Sequence, residues 1–371
     1  MKKEAIMKKR RLIRNLLTPI LMLSVFYFWS TGLSFAQSDT GYQAPPGEMK
    51  KLADGVYAFL QGGGSWHSNS GLIVGKDYAI LVDSQTNKYQ AENLMKKIRE
   101  TTDKPIRFIF NTHFHPDHSY TNHLFSGAVV VTTVRTRAET LKLTVTEIET
   151  FKKLLPTKRF NFDGAQVNPQ DITFEEKVTI YDGTREIQFM ELGVGHSNTD
   201  AIVYLPKERI VFMGDLVGES SAFPSVYSGS YDYGNVLYKL AGIDADIFVP
   251  GHGKSVLSRE QVANTAASTT EALIIMREEA RKLFNKGMTY QEAAEKIDFD
   301  KFKKWGDKDR LYGAVFGNLA RAWSEFRGEP PAAPIDLEEV FAKFMGKQPD
   351  GKWLDRIDMG KSGTTRPTQT K

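Results

Sequence analysis

Between about residue 52 and residue 258 the chain alternates short apolar β-type runs with amphipathic helical stretches; after residue 258 the β-type runs stop. This change of period limits the fold more than any other feature. Strands interleaved with helices build sheets whose faces are covered by helices, and a purely helical remainder has to bury its own apolar stripes. Segments 56–60, 71–74 and 78–82 read as strands, with Lys76-Asp77 turning between the last two. Residues 87–100 read as a helix, 106–110 as a strand entering a polar loop, and 129–132 as another strand. Residues 135–155 read as one helix, with Leu141, Val145, Ile148, Phe151 and Leu155 near helical spacing. Segments 177–181 and 185–191 read as a hairpin around Asp182-Gly183, and 201–205 with 209–213 as a second pair. A helix is expected over 236–241 and a strand over 246–249.

Downstream, 260–286 reads as a long helix, and Thr289-Tyr290-Gln291-Glu292 is a capping box that opens another. Leu311, Val315, Phe316, Leu319, Trp323 and Phe326 mark one face of a third, stopped by Gly328 and Pro330. Leu337, Val340, Phe341 and Phe344 mark a fourth. The expected organisation is a leader (1–36), an α/β body (47–258), a helical extension (259–347) and a polar tail (348–371). The extension's apolar faces are read as core before interface; capping a site or binding a second copy are its other readings.

The leader carries seven basic residues against the single acid Glu4, a surplus of six, so the rest of the +4 chain comes to −2. The charge of the body gives no case for a nucleic-acid surface. Leu16 to Trp29 is almost wholly apolar, and Ser34-Phe35-Ala36 has the small residues of a cleavage site. The reading is an exported protein of the periplasm or cell envelope, cut before Gln37. The rival is an uncleaved anchor, since the 21 residues from Leu16 to Ala36 suffice for a bilayer core of ~30 Å. The chain has no cysteine, which excludes disulfides, cysteine metal sites and a cysteine nucleophile. Any metal has to be held by His, Asp or Glu.

Three of the 7 histidines fall in Asn111-Thr112-His113-Phe114-His115-Pro116-Asp117-His118, directly after a strand. His113 and His115 face the same way if the strand continues, and Asp117 and His118 can turn back across the loop. Neutral imidazoles with a carboxylate suit Zn²⁺; a solvated histidine cluster is the bland alternative. Three further strand-to-loop junctions carry His196 (in Gly193-Val194-Gly195-His196-Ser197), Asp215 (in Phe212-Met213-Gly214-Asp215) and His252 (in Val249-Pro250-Gly251-His252-Gly253). Each alone is weak, but together they hold every residue that a two-metal site needs.

In this order, these motifs resemble the metallo-β-lactamase fold superfamily over roughly residues 50–257. The resemblance implies a four-layer αββα sandwich with the site at one edge of two packed sheets. It implies two Zn²⁺ per chain, one held by His113, His115 and His196, the other by Asp117, His118 and His252, with Asp215 bridging. Asp83, which ends Ile80-Leu81-Val82-Asp83, would orient the metal loop. Two dications ~3.5–4 Å apart acidify a shared water to a pKa near 7, so a metal-held hydroxide would attack an ester, lactone, thioester, amide or lactam-like bond of a small molecule. Asp117 would be catalytic as well, holding that nucleophile and passing a proton.

The stretch from Gly195 to Val217 is similar to true class B β-lactamases, with two departures. Some of those enzymes have Cys where Asp215 stands, and many follow it with a drug-gripping Lys where Gly218 stands. A bridging Asp is similar to the glyoxalase-II-type hydrolases. Sulfur dioxygenases share the fold with one iron and keep an oxidoreductase reading open. A glutamate-bearing flavodiiron enzyme and a nuclease with an inserted recognition domain do not match, and a non-catalytic binding module would be expected to have lost ligands. Gly62-Gly63-Gly64-Ser65-Trp66-His67-Ser68-Asn69 reads as a flexible flap in which Trp66 and His67 meet substrate, or as a plain surface loop. Tyr227, Tyr231 and Tyr233 either line a pocket or sit in a wet loop, and His123 reads as structural.

Overall fold

A computed structural model describes residues 41–62, 67–143, 160–218 and 231–330, with a few isolated residues between and beyond them. The leader, the helix marked by Leu337, Val340, Phe341 and Phe344, and the tail lie outside the described residues. Among the described residues no helix is long and apolar enough to cross a membrane.

The first sheet is formed in sequence order by β1 (Glu48–Ala53), β2 (Val56–Leu60), β3 (Ser70–Val74), β4 (Ala79–Val82), β5 (Ile106–Phe110), β6 (Val129–Thr133) and β7 (Ile172–Phe174). Pairing is antiparallel from β1 to β4 and parallel from β4 to β7. The parallel half needs crossovers. Helix α1 (Lys88–Thr101) supplies the first: the Asn87 side chain accepts from the backbone N–H of Tyr89 and Gln90, and Ala91, Leu94 and Ile98 lie on its buried face. A single turn, α2 (Pro116–Ser119), follows β5, and α3 (Val134–Lys142) follows β6.

The second sheet contains β8 (Lys177–Asp182), β9 (Arg185–Gly193), β10 (Asp200–Leu205), β11 (Ile210–Phe212), β12 (Ile247–Val249) and β13 (Leu257–Ser258). Asp182 pairs with Arg185 and Leu205 with Ile210, as the hairpin signals require. Helix α4 (Tyr233–Ala241) joins β11 to the parallel β12, and α5 (Arg259–Phe284), α6 (Tyr290–Lys296) and α7 (Lys308–Phe326) follow β13. The capping box at Thr289 and Glu292 forms as read, and a second one joins Ser258 to Gln261.

The strand period of two sorts side chains into layers. Ile80 and Val82 face Ala201, Val203 and Leu205 across the interior between the sheets, where Phe110 stacks on Phe189 with ring centroids 4.6 Å apart. Truncating either ring would cost about 3–5 kcal/mol through lost contacts and a residual cavity. Ala79 and Leu81 point the other way, onto Leu94 and Ile98 of α1. Ile202 and Val211 pack outward against Leu237 and Leu240 of α4, in one apolar cluster that also holds Leu273 and Met276 of α5 and Val315, Phe316 and Leu319 of α7. The layers are thus helix, sheet, sheet, helix, the expected αββα arrangement with helices added at the C-terminal end. Among the described residues, most of the extension's apolar side chains are core, Ile274 being exposed.

The helix expected over 135–155 is interrupted: α3 ends at Lys142, where Leu143 is extended (φ −66°, ψ 139°), and the described residues 145, 148, 149 and 152 are helical again. Four threonines lie between 136 and 146, and β-branched side chains weaken a helix. Leu141 and Val145 are exposed, whereas Ile148 is buried with Tyr120, Phe160 and Phe162. Phe151 and Leu155 lie outside the described residues.

Candidate metal centre

Strand direction explains why distant residues meet. β4 and β5 run parallel in the first sheet. In the second, β9 and β11 are both antiparallel to β10, and β12 is parallel to β11, so β9, β11 and β12 run the same way. Asp83 follows β4, His113 follows β5, His196 follows β9, Asp215 follows β11 and His252 follows β12. Five strand ends therefore deliver their side chains to a common edge of the sandwich.

Local geometry completes the set. His115 is extended (φ −59°, ψ 148°), as a residue before proline prefers, and Pro116 then opens α2 at a position where its missing N–H costs nothing. That turn swings Asp117 and His118 back over the strand end. One ligand atom each from His113, His115, His196 and Asp215 lies within 4.8 Å of the others, and the same holds for Asp117, His118 and His252. All seven residues expected from the sequence are brought together in these two groups.

Asp215 lies between the groups. One of its oxygens stands 3.9 Å from His113 Nε2, 3.4 Å from His196 Nε2 and 3.2 Å from His252 Nε2; the other stands 3.3 Å from His118 Nε2. His252 Nε2 is also 3.1 Å from Asp117 Oδ2, and His196 Nε2 is 3.1 Å from His115 Nδ1. The approach is close enough to require glycine at 251, where a Cβ would fall 1.9 Å from Asp215 Oδ1. Gly214 takes a left-handed φ of +53°, and its own Cβ would meet Thr112 Oγ1 at 2.6 Å.

Behind the ligands, Asp83 is buried in a left-handed conformation (φ +57°). Its Oδ1 accepts from Thr112 N–H at 2.8 Å, and its Oδ2 accepts from the Thr112 hydroxyl at 2.7 Å and from His118 Nδ1–H at 2.8 Å. Thr112 has a single hydroxyl hydrogen and gives it to the carboxylate, so its oxygen accepts from His113 Nδ1–H, 3.0 Å away. One carboxylate thereby fixes the tautomer of two imidazoles. His113 then presents a bare Nε2 to the centre.

The titration pattern follows from crowding. Burial, reinforced by neighbouring imidazoles, holds His113 well below the ordinary histidine range and His115 down to about 3. Burial opposes charge on His252 too, yet Asp215 and Asp117 push it up to about 10. His118 is raised well above its usual range against burial by Asp215, Asp117 and Asp83. Against burial again, His118 and His252 hold Asp117 at about 2. A divalent cation would replace those protons as the counter-charge to the carboxylates. The fit to a metal is supported by buried atoms: among the described residues, His113 Nε2, His118 Nε2 and Asp215 Oδ1 find no hydrogen-bond partner. The donor set of imidazole nitrogen and carboxylate oxygen is one that zinc accepts.

A family model for the metallo-beta-lactamase superfamily matches residues 63–252. The chain belongs to that superfamily. Among curated members, a linear primary-alkylsulfatase from Pseudomonas sp. is 24% identical over 307 residues, covering 72% of this chain and 57% of its own length. The chain thus spans little more than half of that relative. A metallo-beta-lactamase from Chryseobacterium indologenes is 25% identical over 196 residues, covering 52% of this chain and 74% of its own length. Among solved structures, a stereoselective inverting sec-alkylsulfatase from Pseudomonas sp. superposes with a TM-score of 0.59 at 16% identity, over 84% of this chain and 57% of that one. This last likeness is one of fold. Superfamily relatives of this chain are hydrolases acting on small molecules, and the cluster described above is its candidate metal site.

The other expected residues are not among the candidate ligands. Tyr231 and Tyr233 belong to neither a pocket wall nor a wet loop. Both are buried, with the Tyr231 hydroxyl donating to Asn318 O and the Tyr233 hydroxyl to Leu216 O. Tyr227 and Trp66 lie outside the described residues. His123 sits in a short 3-10 turn, 3.1 Å from Asn168 Nδ2, as a structural histidine would. The end of the supposed flap is fixed, since Ser68 and Asn69 are fully or nearly buried. Sequence reasoning missed Thr112, Ser68 and Asn69. Thr112 alone carried a signal, as the residue leading into the histidine run.

Proposed function

We propose that the protein is a dizinc hydrolase of ester-type bonds. The observation that carries this reading is the seat of Asp215, within 3.9 Å of an imidazole nitrogen from each of His113, His118, His196 and His252. His113, His115 and His196 would hold one cation and Asp117, His118 and His252 the other, with Asp215 shared. When bound, such a pair supplies Lewis acidity and a water of lowered pKa. The chain's own residues orient and move the proton. Asp117 faces the centre, its Oδ2 3.1 Å from His252 Nε2, and is the carboxylate placed to hold the attacking water and accept its proton. No serine or cysteine nucleophile is needed.

For the substrate, a sulfate or carboxylic ester is favoured over a lactam. The alignment with the alkylsulfatase covers 72% of the chain, more than residues 1–258 together contain, so it enters the helical extension; that with the β-lactamase covers 52%. Gly218 also leaves no lysine where a lactam carboxylate would be gripped. The test is a zinc-supplemented panel of a linear primary alkyl sulfate with chromogenic lactone, thioester, phosphoester and lactam substrates. Turnover of an ester-type member with two zinc ions per chain supports the proposal. One iron per chain and oxygen consumption with a persulfide would replace it by the dioxygenase reading, and turnover confined to the lactam by the β-lactamase reading. The basic and apolar leader supports export to the periplasm or envelope; a mature chain beginning at Gln37 is expected, and a soluble cytoplasmic protein beginning at Met1 would refute it.

A further inference from the structure

Ser68 and Asn69 lie just before β3, distant in sequence from every ligand, and are 0% and 3% exposed. Their polar groups are directed at two loops: the one after β5, which carries His113 and His115 as well as Asp117 and His118 and is met at the Asp117 end, and the one that carries His252. The Ser68 hydroxyl donates to the backbone carbonyl of Asp117. Asn69 donates from its backbone N–H to Gly251 O at 2.6 Å and from Nδ2 to Pro250 O at 3.0 Å, the two residues before His252. Its Oδ1 accepts from Gln61 N–H at 3.0 Å, so the amide is used at both ends and cannot rotate without losing a bond. Adjacent residues in extended backbone point to opposite sides, which lets one dipeptide reach both loops.

Those loops come from different sheets, one after β5 and the other after β12. No strand pairing fixes the gap between them, yet Asp117 Oδ2 and His252 Nε2 must stay 3.1 Å apart. Among the described residues, neither Ser68 nor Asn69 bonds to His113, to His115 or to the loop that carries His196. We propose that Ser68-Asn69 is a positioning pair that sets the span between Asp117 and His252, and so governs occupancy of the second metal position without governing the first. This inference rests on the two-cation reading above.

The test uses the full chain, stripped of metal and titrated with Zn²⁺ and, for its visible spectrum, Co²⁺. Wild type, Ser68→Ala, Asn69→Ala and Asn69→Asp are compared; the last keeps the shape but loses the donor to Pro250 O. The expected result is two binding events in wild type and, in the variants, a second event weakened about 10–100-fold with the first changed less than about threefold. Equal weakening of both events would show a general structural role and overturn the proposal, as would unchanged titrations. If Asn69→Ala fails to fold, Ser68→Ala, which removes one hydroxyl, carries the same comparison. A wild-type chain that takes up a single cation would overturn the dizinc reading itself; two cations in wild type with unaltered variants would overturn the positioning pair alone.

Discussion

Asp83 Oδ2 lies 2.8 Å from His118 Nδ1 and holds that ring from behind, while the opposite nitrogen, Nε2, stands 3.3 Å from Asp215. One carboxylate aims the imidazole and the other meets it at the centre. Through Thr112 the same Asp83 also sets the tautomer of His113. Asp83→Asn is therefore expected to weaken metal binding about 10–100-fold, because an amide cannot accept from His118 and Thr112 in the same way. Asparagine tolerates the left-handed backbone at this position, so the fold should survive. Metal titration with circular dichroism of the variant checks both halves.

Gly251 tests the closeness of the centre. In Gly251→Ala the new methyl would fall on Asp215 Oδ1 at 1.9 Å and on His118 Cε1 at 3.0 Å, so the carboxylate or the loop has to move. A displacement near 1 Å at a reacting centre costs about 100-fold in rate, and kcat/KM for whichever ester is turned over should fall by that order. Unchanged steady-state kinetics would show that Asp215 is free to shift.

Removal of metal should lower thermal stability. The centre concentrates five histidines and two aspartates, and ligands that bind only the folded state stabilise by about 2.7 kcal/mol at a hundred times their Kd. At ~2–4 °C per kcal/mol this is a rise in Tm of about 5–10 °C. Differential scanning calorimetry with and without a chelator measures it, and zinc should restore the loss.

His115→Ala should abolish turnover. His115 is neutral at ordinary pH, held at about 3 chiefly by burial, and its Nδ1 faces His196. Loss of a ligand atom leaves the first cation two imidazoles, and a decrease in kcat of at least 10-fold is expected with near-native circular dichroism.

Away from the centre, Asp244 bonds to Arg209 and Arg259 and is lowered to about 2 by those hydrogen bonds. In the unfolded chain its pKa is about 3.9, so between these values the unfolded state binds more protons. The stabilisation is complete above about pH 4 and is lost as the pH falls through about 2. Asp244→Asn should lower Tm at pH 7, the difference closing near pH 2 and shrinking with added salt, since the pair is exposed. Thermal melts across that range decide it.

The sequence by itself determined the strand and helix alternation, the hairpins at Asp182 and between 205 and 210, the capping box at Thr289, and all seven candidate ligands. These are local matters: period, turn chemistry and residue type are written in neighbouring positions. Tertiary structure decided what depends on distant partners. It broke the 135–155 helix at Leu143, placed Tyr231 and Tyr233 in the core, and merged the C-terminal helices with the outer face of the second sheet. It also gave Ser68, Asn69 and Thr112 their tasks. Asn69 bonds to a carbonyl 181 residues away. A backbone carbonyl carries no residue identity, and any small polar side chain can donate to one. Which of them does so is settled only when two sheets pack and bring the loops to a single edge.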